Sequence, residues 1–215
     1  MVLVDCYQPI TRLFFQPTHL NLRRTKKKPA RRTPSLPVEV QYREELYQLN
    51  DWWMANSPLT PEGRRQQRIR QEQFEQIKPR LLKDLGIAGT AWPIWLDFPH
   101  AFDWVYGVDR RHWQAKLYLH HMSAVSVNPL RIIQLVTTLA IEFGPPAPVG
   151  VLQLVRNRQT FPESINAMIP DTYLVVRDFV HYLHEQGVLD RDLRTGDYYV
   201  GALGSARKAL ESALV

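Results

Sequence analysis

The sequence predicts a mainly α-helical protein with a single β-hairpin near its C-terminus. Two observations carry this prediction. After residue 37, apolar residues recur at spacings of three and four through most of the chain, which is the period of amphipathic helices. Between residues 188 and 200 the pattern becomes extended, and Thr195-Gly196-Asp197 supplies the residues of a tight turn. The 215 residues are enough for one domain or two small ones.

The composition excludes several classes of protein. With 45% hydrophobic and 22% charged residues, the chain resembles globular proteins, which excludes a wholly disordered or collagen-like chain. The single cysteine, Cys6, cannot form an internal disulfide or a zinc site built from several cysteines. The sequence has no run of about 18 apolar residues and no secretory signal, so we expect neither a membrane span nor export. The expected location is therefore intracellular: the cytoplasm, or the nucleus if the host is eukaryotic.

The net charge of +6 is unevenly distributed along the chain. Residues 1–37 contain eight basic residues and one acidic residue, a net charge of +7, whereas residues 38–215 have a net charge of −1. Because the first segment is rich in proline and charge, we predict a flexible basic arm over 1–37. Such an arm is typical of a solubilising terminus, a nuclear-import signal or a segment that neutralises nucleic-acid phosphates. Its candidate phosphate contacts are Arg23, Arg24, Lys26, Lys27, Lys28, Arg31 and Arg32.

The next segment, residues 38–127, is predicted to be helical and rich in aromatic residues. A helix over 38–53 precedes a second helix that begins at Thr60, because Thr60 can cap it and Pro61 suits the first helical position. We expect Pro79 to kink or split this second helix, since proline removes an interior hydrogen-bond donor.

An aromatic segment follows, with eight Trp, Phe and Tyr rings in the 27 residues 92–118. Because each large ring buries about 150 to 250 Å², core packing is the main expectation, with a protein interface or stacking on unpaired bases as alternatives. Asp97, Asp103 and Asp109 recur every six residues here. That spacing matches no metal-ligand motif, so we expect turns and helix caps from these aspartates and predict no metal site.

The third segment, residues 128–215, contains the clearest helical pattern. We expect a helix that begins at Asn128-Pro129 and ends before Gly144, with so few polar positions that only a narrow stripe faces water. The remaining predicted elements are short helices over 149–158 and 162–168, a longer helix over 171–186, the hairpin over 188–200 and a final helix over 204–215.

This order of elements resembles the winged helix-turn-helix superfamily over residues 128–203. The resemblance implies that the helix over 171–186 enters the major groove of DNA and that the hairpin, called the wing, lies near the backbone. Local charge argues against tight DNA binding by this domain alone, because residues 156–215 contain seven basic and eight acidic residues. The resemblance therefore leaves open whether the domain contacts nucleic acid or protein.

The sequence favours a non-enzymatic protein that binds DNA or RNA mainly through electrostatic contacts of the arm, with the winged helix for docking. The alternative is a structural or adaptor subunit, or a homo-oligomer, that uses the winged helix and the aromatic segment as protein interfaces. A metal-dependent nuclease using Asp97, Asp103 and His100 is a minor alternative, because no phosphate loop or nucleophile motif accompanies them. No cofactor is expected. Besides the arm, the candidate contacts are Arg64, Arg65 and Arg68 in the second helix and Arg191 and Arg194 in the hairpin.

Overall fold

The computed structural model describes residue 40 and residues 42–126 and 128–201. The predicted arm over 1–37 and the predicted final helix over 204–215 lie outside these ranges. Contacts divide the chain into two compact units: unit 1 combines the chain up to Met54 with Pro148–Pro170, and unit 2 combines Ala55–Ala147 with the chain from Asp171. These units differ from the segments predicted from the sequence, because residues on both sides of the predicted boundary at 127 belong to unit 2.

The described residues form seven α-helices and one β-hairpin. The helices are α1 (Arg43–Asn56), α2 (Pro61–Asp84), α3 (Arg110–His121), α4 (Ile132–Phe143), α5 (Val149–Arg156), α6 (Glu163–Asn166) and α7 (Thr172–Glu185). Short 3-10 turns lie at Ile94–Leu96 and Arg158–Thr160. The strands are β1 (Asp190–Arg191) and β2 (Tyr198–Tyr199). The predicted mainly α-helical fold with one C-terminal hairpin is confirmed. No helix in the described part of the chain is long and apolar enough to span a membrane.

Unit 1 buries apolar side chains from α1, α5 and α6. Leu49 of α1, Leu154 of α5 and Ile165 of α6 are almost completely inaccessible to solvent. The ring of Tyr42 meets the edge of Phe161 at a centroid distance of 5.6 Å, a geometry that aromatic pairs favour. These contacts give the unit a small apolar core.

Unit 2 is organised around α3. This helix packs against α2, against α4 and against the 3-10 turn at Ile94–Leu96, and α4 in turn packs against α7. Trp113 of α3 and Phe179 of α7 are both fully buried, with ring centroids 5.3 Å apart in an edge-to-face arrangement. The core of the unit therefore forms where α3, α4 and α7 meet.

The hairpin follows α7, as predicted, and residues 192–197 join its two short strands. Asp190 pairs with Tyr199 and Arg191 with Tyr198. Gly196 occupies the turn with a φ of 76°, a conformation that glycine adopts without steric cost. The chain before α4 also bonds to this hairpin, because the Ser126 amide donates to the Val200 carbonyl at 3.1 Å and the Leu130 amide to the Tyr198 carbonyl at 2.8 Å.

Helix α2 is continuous through Pro79, so of the two predicted outcomes, a kink or a split, the split is wrong. Proline at this position removes the amide that would bond to the carbonyl of Glu75. Both residues lie on the exposed side of the helix, where water can bind that carbonyl instead. The solvent-exposed position therefore explains why the helix tolerates the proline.

Helix α4 differs from its prediction in two respects. It begins at Ile132 rather than at Asn128, because the backbone at 126–130 is hydrogen-bonded to the hairpin. It is also less buried than its apolar composition predicts: among its residues only Leu135 and Leu139 are buried, while Ile133 is 65% and Ile141 80% exposed. The neighbouring helices cover one side of α4 and leave Ile133 and Ile141 in solvent, beside the polar residues Gln134, Thr137 and Glu142.

The burial pattern of α4 predicts that truncation of two side chains on this helix lowers the free energy of unfolding by very different amounts. Leu139→Ala removes a fully buried side chain and should lower the free energy of unfolding by about 2 to 5 kcal/mol. Ile141→Ala, two residues further on, should change it by less than about 0.5 kcal/mol because that side chain is in solvent. Urea denaturation followed by circular dichroism measures both. Equal losses in the two variants would contradict the burial pattern of α4.

Candidate functional site

The start of α2 is fixed by the turn that precedes it. The Thr60 hydroxyl accepts a hydrogen bond from the Gly63 amide at 2.9 Å and donates one to the Ser57 carbonyl at 2.9 Å. Gly63 lies so close to the Ser57 carbonyl that a Cβ atom at this position would overlap it, so the contact requires glycine. The first turn of α2 is therefore held in one orientation, and its outward side chains project from a fixed backbone.

The arginines predicted on α2 lie on this first part of the helix. Arg64 and Arg68 are exposed and one helical turn apart, and together with Pro61 and Gln67 they line an open groove of about 460 Å³. We call these four residues the basic α2 surface. Arg64 donates to the Leu59 carbonyl at 3.1 Å, and Arg68 forms no ion pair or hydrogen bond with any described residue. No carboxylate from the described residues lines the groove, so this part of α2 presents positive charge to solvent.

Arg65 lies beside this surface and is partly neutralised. Its guanidinium is 3.8 Å from the carboxylate of Glu62, one turn earlier, and both side chains are largely exposed. Such an exposed pair contributes little to stability and leaves the arginine free to exchange partners. The structure therefore gathers all three predicted arginines of α2 within about two turns.

The predicted arginines of the hairpin lie in a different setting. Arg191 donates to the Gly196 carbonyl at 3.3 Å, and its guanidinium lies 5.4 Å from the centre of the Tyr198 ring. Arg194 is exposed, but the carboxylate of Asp192 accepts its backbone amide at 2.7 Å. Arg191 and Asp192 therefore form contacts within the hairpin, whereas the guanidinium of Arg194 is exposed to solvent.

The polar side of α7, the helix that the resemblance places in the major groove, is bonded to its neighbours. Arg177 pairs with Asp178 at 2.8 Å. His181 bonds to the Tyr198 hydroxyl at 3.0 Å and lies 3.3 Å from Glu185, and His184 bonds to the Leu189 carbonyl at 3.0 Å. The two histidines connect α7 to the hairpin and to the residue before it, and Arg177 pairs within the helix, so few donors remain for base edges. Within residues 42–126 and 128–201 no cluster of three metal-ligating side chains occurs.

The three aspartates spaced six apart all bind arginines. Asp97 accepts from Arg110 at 2.6 Å and Asp103 accepts from the same guanidinium at 3.3 Å. Asp109 caps α3 through the Arg111 amide at 2.9 Å and holds the Arg111 guanidinium with both carboxylate oxygens. The predicted capping role is confirmed for Asp109, whereas the Arg110 pairs were not predicted. The feature of the sequence that could have predicted these pairs is the position of Arg110 and Arg111 directly after Asp109.

These pairs line a second cavity, of about 180 Å³, between α2, α3 and the loop before α3. We call it the polar cavity. Its lining includes three arginines and three aspartates, so its formal charges balance: Arg70, Arg110, Arg111, Asp97, Asp103 and Asp109. Burial raises the pKa of Asp103, although the neighbouring Arg110 opposes that shift. The cavity therefore holds charged groups with restricted access to water.

Arg70 is the residue of this cavity that sequence analysis missed. Its side chain is only 7% exposed, and burial lowers the pKa of its guanidinium. One nitrogen, Nη2, donates to the Asn56 side chain at 2.6 Å, but the buried Nη1 has no hydrogen-bond partner among the described residues. Leaving such a donor without a partner costs about 1 to 3 kcal/mol. In the sequence Arg70 is indistinguishable from the exposed arginines around it.

The aromatic segment forms core. Five of its eight rings are buried: Trp95, Trp104, Tyr106, Trp113 and Tyr118. The expectation of core packing is confirmed for these rings, which leaves little of the segment exposed to form a protein interface. The other three rings are half-buried.

Comparisons with protein-family models, with curated proteins and with solved structures found no match for this chain.

The burial of Asp103 predicts a specific dependence of stability on pH. Because its pKa is raised in the folded protein, the folded state holds the Asp103 proton more tightly than the unfolded chain, and this contribution to stability is lost as the pH rises above about 4. Asp103→Asn, which does not titrate, should therefore become more stable relative to the wild type as the pH increases. Urea denaturation across a pH series measures this difference, with the exposed Asp84→Asn as control. A difference that is constant with pH would contradict the raised pKa.

Proposed function

We propose that this protein binds nucleic acid, mainly by electrostatic contacts to the phosphate backbone from the basic α2 surface and from the arm over 1–37. The observation that carries the proposal is the position of Arg64 and Arg68 on one side of α2, both exposed, in a groove to which no described residue contributes a carboxylate. The proposal assigns the protein no catalytic activity.

The chemistry of this surface suits phosphates. A guanidinium presents several donors in a planar fork that matches two phosphate oxygens. The two arginines are separated by about 6 Å along the helix axis, so one stretch of backbone can reach both. The groove also lies at the N-terminal end of α2, where the helix dipole favours anions. The amide of Gln67 adds an uncharged donor to the groove.

The arm and the folded units contribute differently in this proposal. The +7 charge of residues 1–37 attracts nucleic acid over a distance limited by salt screening. The α2 surface then holds the backbone in a defined orientation. We infer that α7 and the hairpin, which retain the element order of a winged helix, dock the complex rather than recognise bases, because their polar groups bond mainly to each other.

Removal of the two groove arginines tests the proposal. Arg64→Ala with Arg68→Ala should weaken binding to duplex DNA and reduce the steepness of log affinity against log salt by about 1.8, the value expected for two phosphate contacts. Fluorescence anisotropy with a labelled duplex over a salt series measures both quantities.

Arg80→Ala with Lys83→Ala is the matched control. These residues are exposed and lie near the other end of α2, so the double variant removes the same charge from the same helix. Its salt dependence should remain close to that of the wild type. If the two double variants lose affinity and salt dependence equally, the groove has no special role. If neither changes binding, α2 does not contact the phosphates.

A structural or adaptor role is the second candidate. Two exposed isoleucines of α4, Ile133 and Ile141, favour it, because large aliphatic side chains that are exposed on one helix can contact another protein. The buried aromatic segment does not contribute to this alternative. A purely structural role predicts no salt-dependent binding to nucleic acid, which the experiment above detects.

A further inference from the structure

Helix α4 has one face that the described residues leave largely uncovered. Ile133, Thr137 and Ile141 lie one helical turn apart on this face and are all exposed, the two isoleucines at 65% and 80%. Val136 and Ala140 lie beside them and are half-buried. We call these five residues the α4 outer face. Because the burial of apolar surface is favourable, a segment that covers this face would stabilise α4.

The α4 outer face can be covered without leaving a buried polar group unpaired. Its one polar side chain is that of Thr137, whose hydroxyl donates to the Ile133 carbonyl within the helix at 2.8 Å. A hydroxyl that is already bonded in this way is buried at lower cost than one that bonds only to water. The nearby Glu142 lies on the α3 side of the helix, where it pairs with Lys116 at 3.0 Å. The face therefore suits an apolar occupant rather than nucleic acid.

The size of the α4 outer face favours an occupant that belongs to the same chain. The 12 residues of α4 form a helix about 18 Å long, and one face about 10 Å across presents roughly 200 Å². A stable complex of two proteins usually buries about 800 Å² on each partner, so this face alone is too small to hold a separate molecule. A tethered segment has an effective concentration of about 1 mM, so a small contact is enough to hold it.

The chain that follows Gly201 starts close to α4. The Tyr198 carbonyl accepts from the Leu130 amide at 2.8 Å, and α4 begins two residues after Leu130. Gly201 follows Tyr198 by three residues, which is about 10 Å in an extended chain. Residues 202–205 then allow Ala206 to lie up to about 17 Å from Gly201. The segment that begins at Ala206 can therefore reach the first turn of α4.

The sequence beyond Gly201 repeats the apolar spacing of the α4 outer face. The predicted helix over 204–215 lies outside the described residues, but its sequence contains five apolar residues at successive spacings of three, one, three and one: Ala206, Ala209, Leu210, Ala213 and Leu214. The five residues of the outer face have the same spacings. In an α-helix this pattern places all five side chains on one side. Each of the two sequences therefore offers the other an apolar stripe of equal length.

We propose that residues 206–214 form a helix that packs along the α4 outer face. Because the chain arrives from the N-terminal end of α4, the two helices run parallel, with Ala206 near Ile133 and Leu214 near Ile141. The row of residues four apart on each helix then packs into the groove beside the corresponding row of the other. This contact covers the two isoleucines that a protein partner would otherwise use. The inference does not depend on the proposed binding of nucleic acid.

Thiol labelling of the α4 outer face tests this proposal. In a chain with Cys6→Ser, the substitution Ile141→Cys introduces the sole cysteine, and its rate of reaction with a maleimide reports its exposure. The full chain should react about tenfold more slowly than a chain that stops at Gly201, if the docked state is favoured about ten to one. Asp84→Cys in the same two chains is the control, since this exposed position on α2 should react equally fast in both.

The dependence on protein concentration distinguishes the possible occupants of the face. Protection of the Ile141→Cys thiol that is the same at all concentrations of the full chain supports docking within one chain. Protection that disappears on dilution would overturn the inference, because a second copy would then cover the face. Equal reaction rates in the full and the shortened chain would also overturn it, whatever the affinity of the protein for nucleic acid.

Substitutions within the segment test the packed side without shortening the chain. Added to the Ile141→Cys chain, Leu210→Asp should restore fast labelling, because a charge on the packed side is costly to bury. Ser212→Asp adds the same charge on the opposite side and should leave the protection intact. If both substitutions or neither restore fast labelling, the proposed packing is wrong.

The docked contact is weak enough to agree with the burial pattern of α4. A ratio of about ten to one corresponds to about 1.4 kcal/mol for the whole contact, shared among several side chains. The loss of stability in Ile141→Ala therefore stays far below the loss in Leu139→Ala, whose side chain is fully buried by the described residues.

Discussion

The arrangement of unit 2 depends on how α3 holds the loop before it. The side chain of Gln114, which is fully buried, accepts from the Phe98 amide at 2.9 Å and donates to the Phe98 carbonyl at 2.7 Å, as a neighbouring strand would. The indole of Trp113 donates to the Asp103 carbonyl at 2.9 Å. Because the Gln114 and Trp113 side chains are fully buried, these bonds fix an irregular loop against the core. The positions of Asp97 and Asp103, and hence the polar cavity, follow from them.

Helix α2 presents arginines in two electrostatic environments. Arg64 and Arg68 lie in solvent, where their charge is screened but accessible to a polyanion. Arg70 lies among balanced charges with little access to water, where an unmatched hydrogen-bond donor carries a free-energy cost. The exposed arginines suit contacts that depend on charge alone, whereas the buried one suits a contact that depends on geometry.

Local features of the structure could be predicted from the sequence, and features that join distant segments could not. The cap of α2 at Thr60, the helix α7 and the hairpin turn at Gly196 follow from neighbouring residues. The exposure of Ile141 does not, because periodicity identifies an apolar side chain but not the element that covers it. The bond between Arg70 and Asn56 spans 14 residues and that between Arg110 and Asp97 spans 13, so their partners were not evident from the sequence. Among the candidate residues, the exposed arginines were therefore found and the buried one was missed.

The most direct measurement is the salt dependence of nucleic-acid binding by the full chain and by a chain that lacks residues 1–37. The account predicts that the full chain binds duplex DNA with a slope of log affinity against log salt of roughly −6.3 to −8.1, if the arm neutralises five to seven phosphates (roughly −4.5 to −6.3) and the basic α2 surface two more. The truncated chain should bind more weakly and retain a slope of about −1.8, from the two arginines of the basic α2 surface. Failure of the full chain to show salt-dependent binding to duplex DNA, single-stranded DNA or RNA would contradict the account.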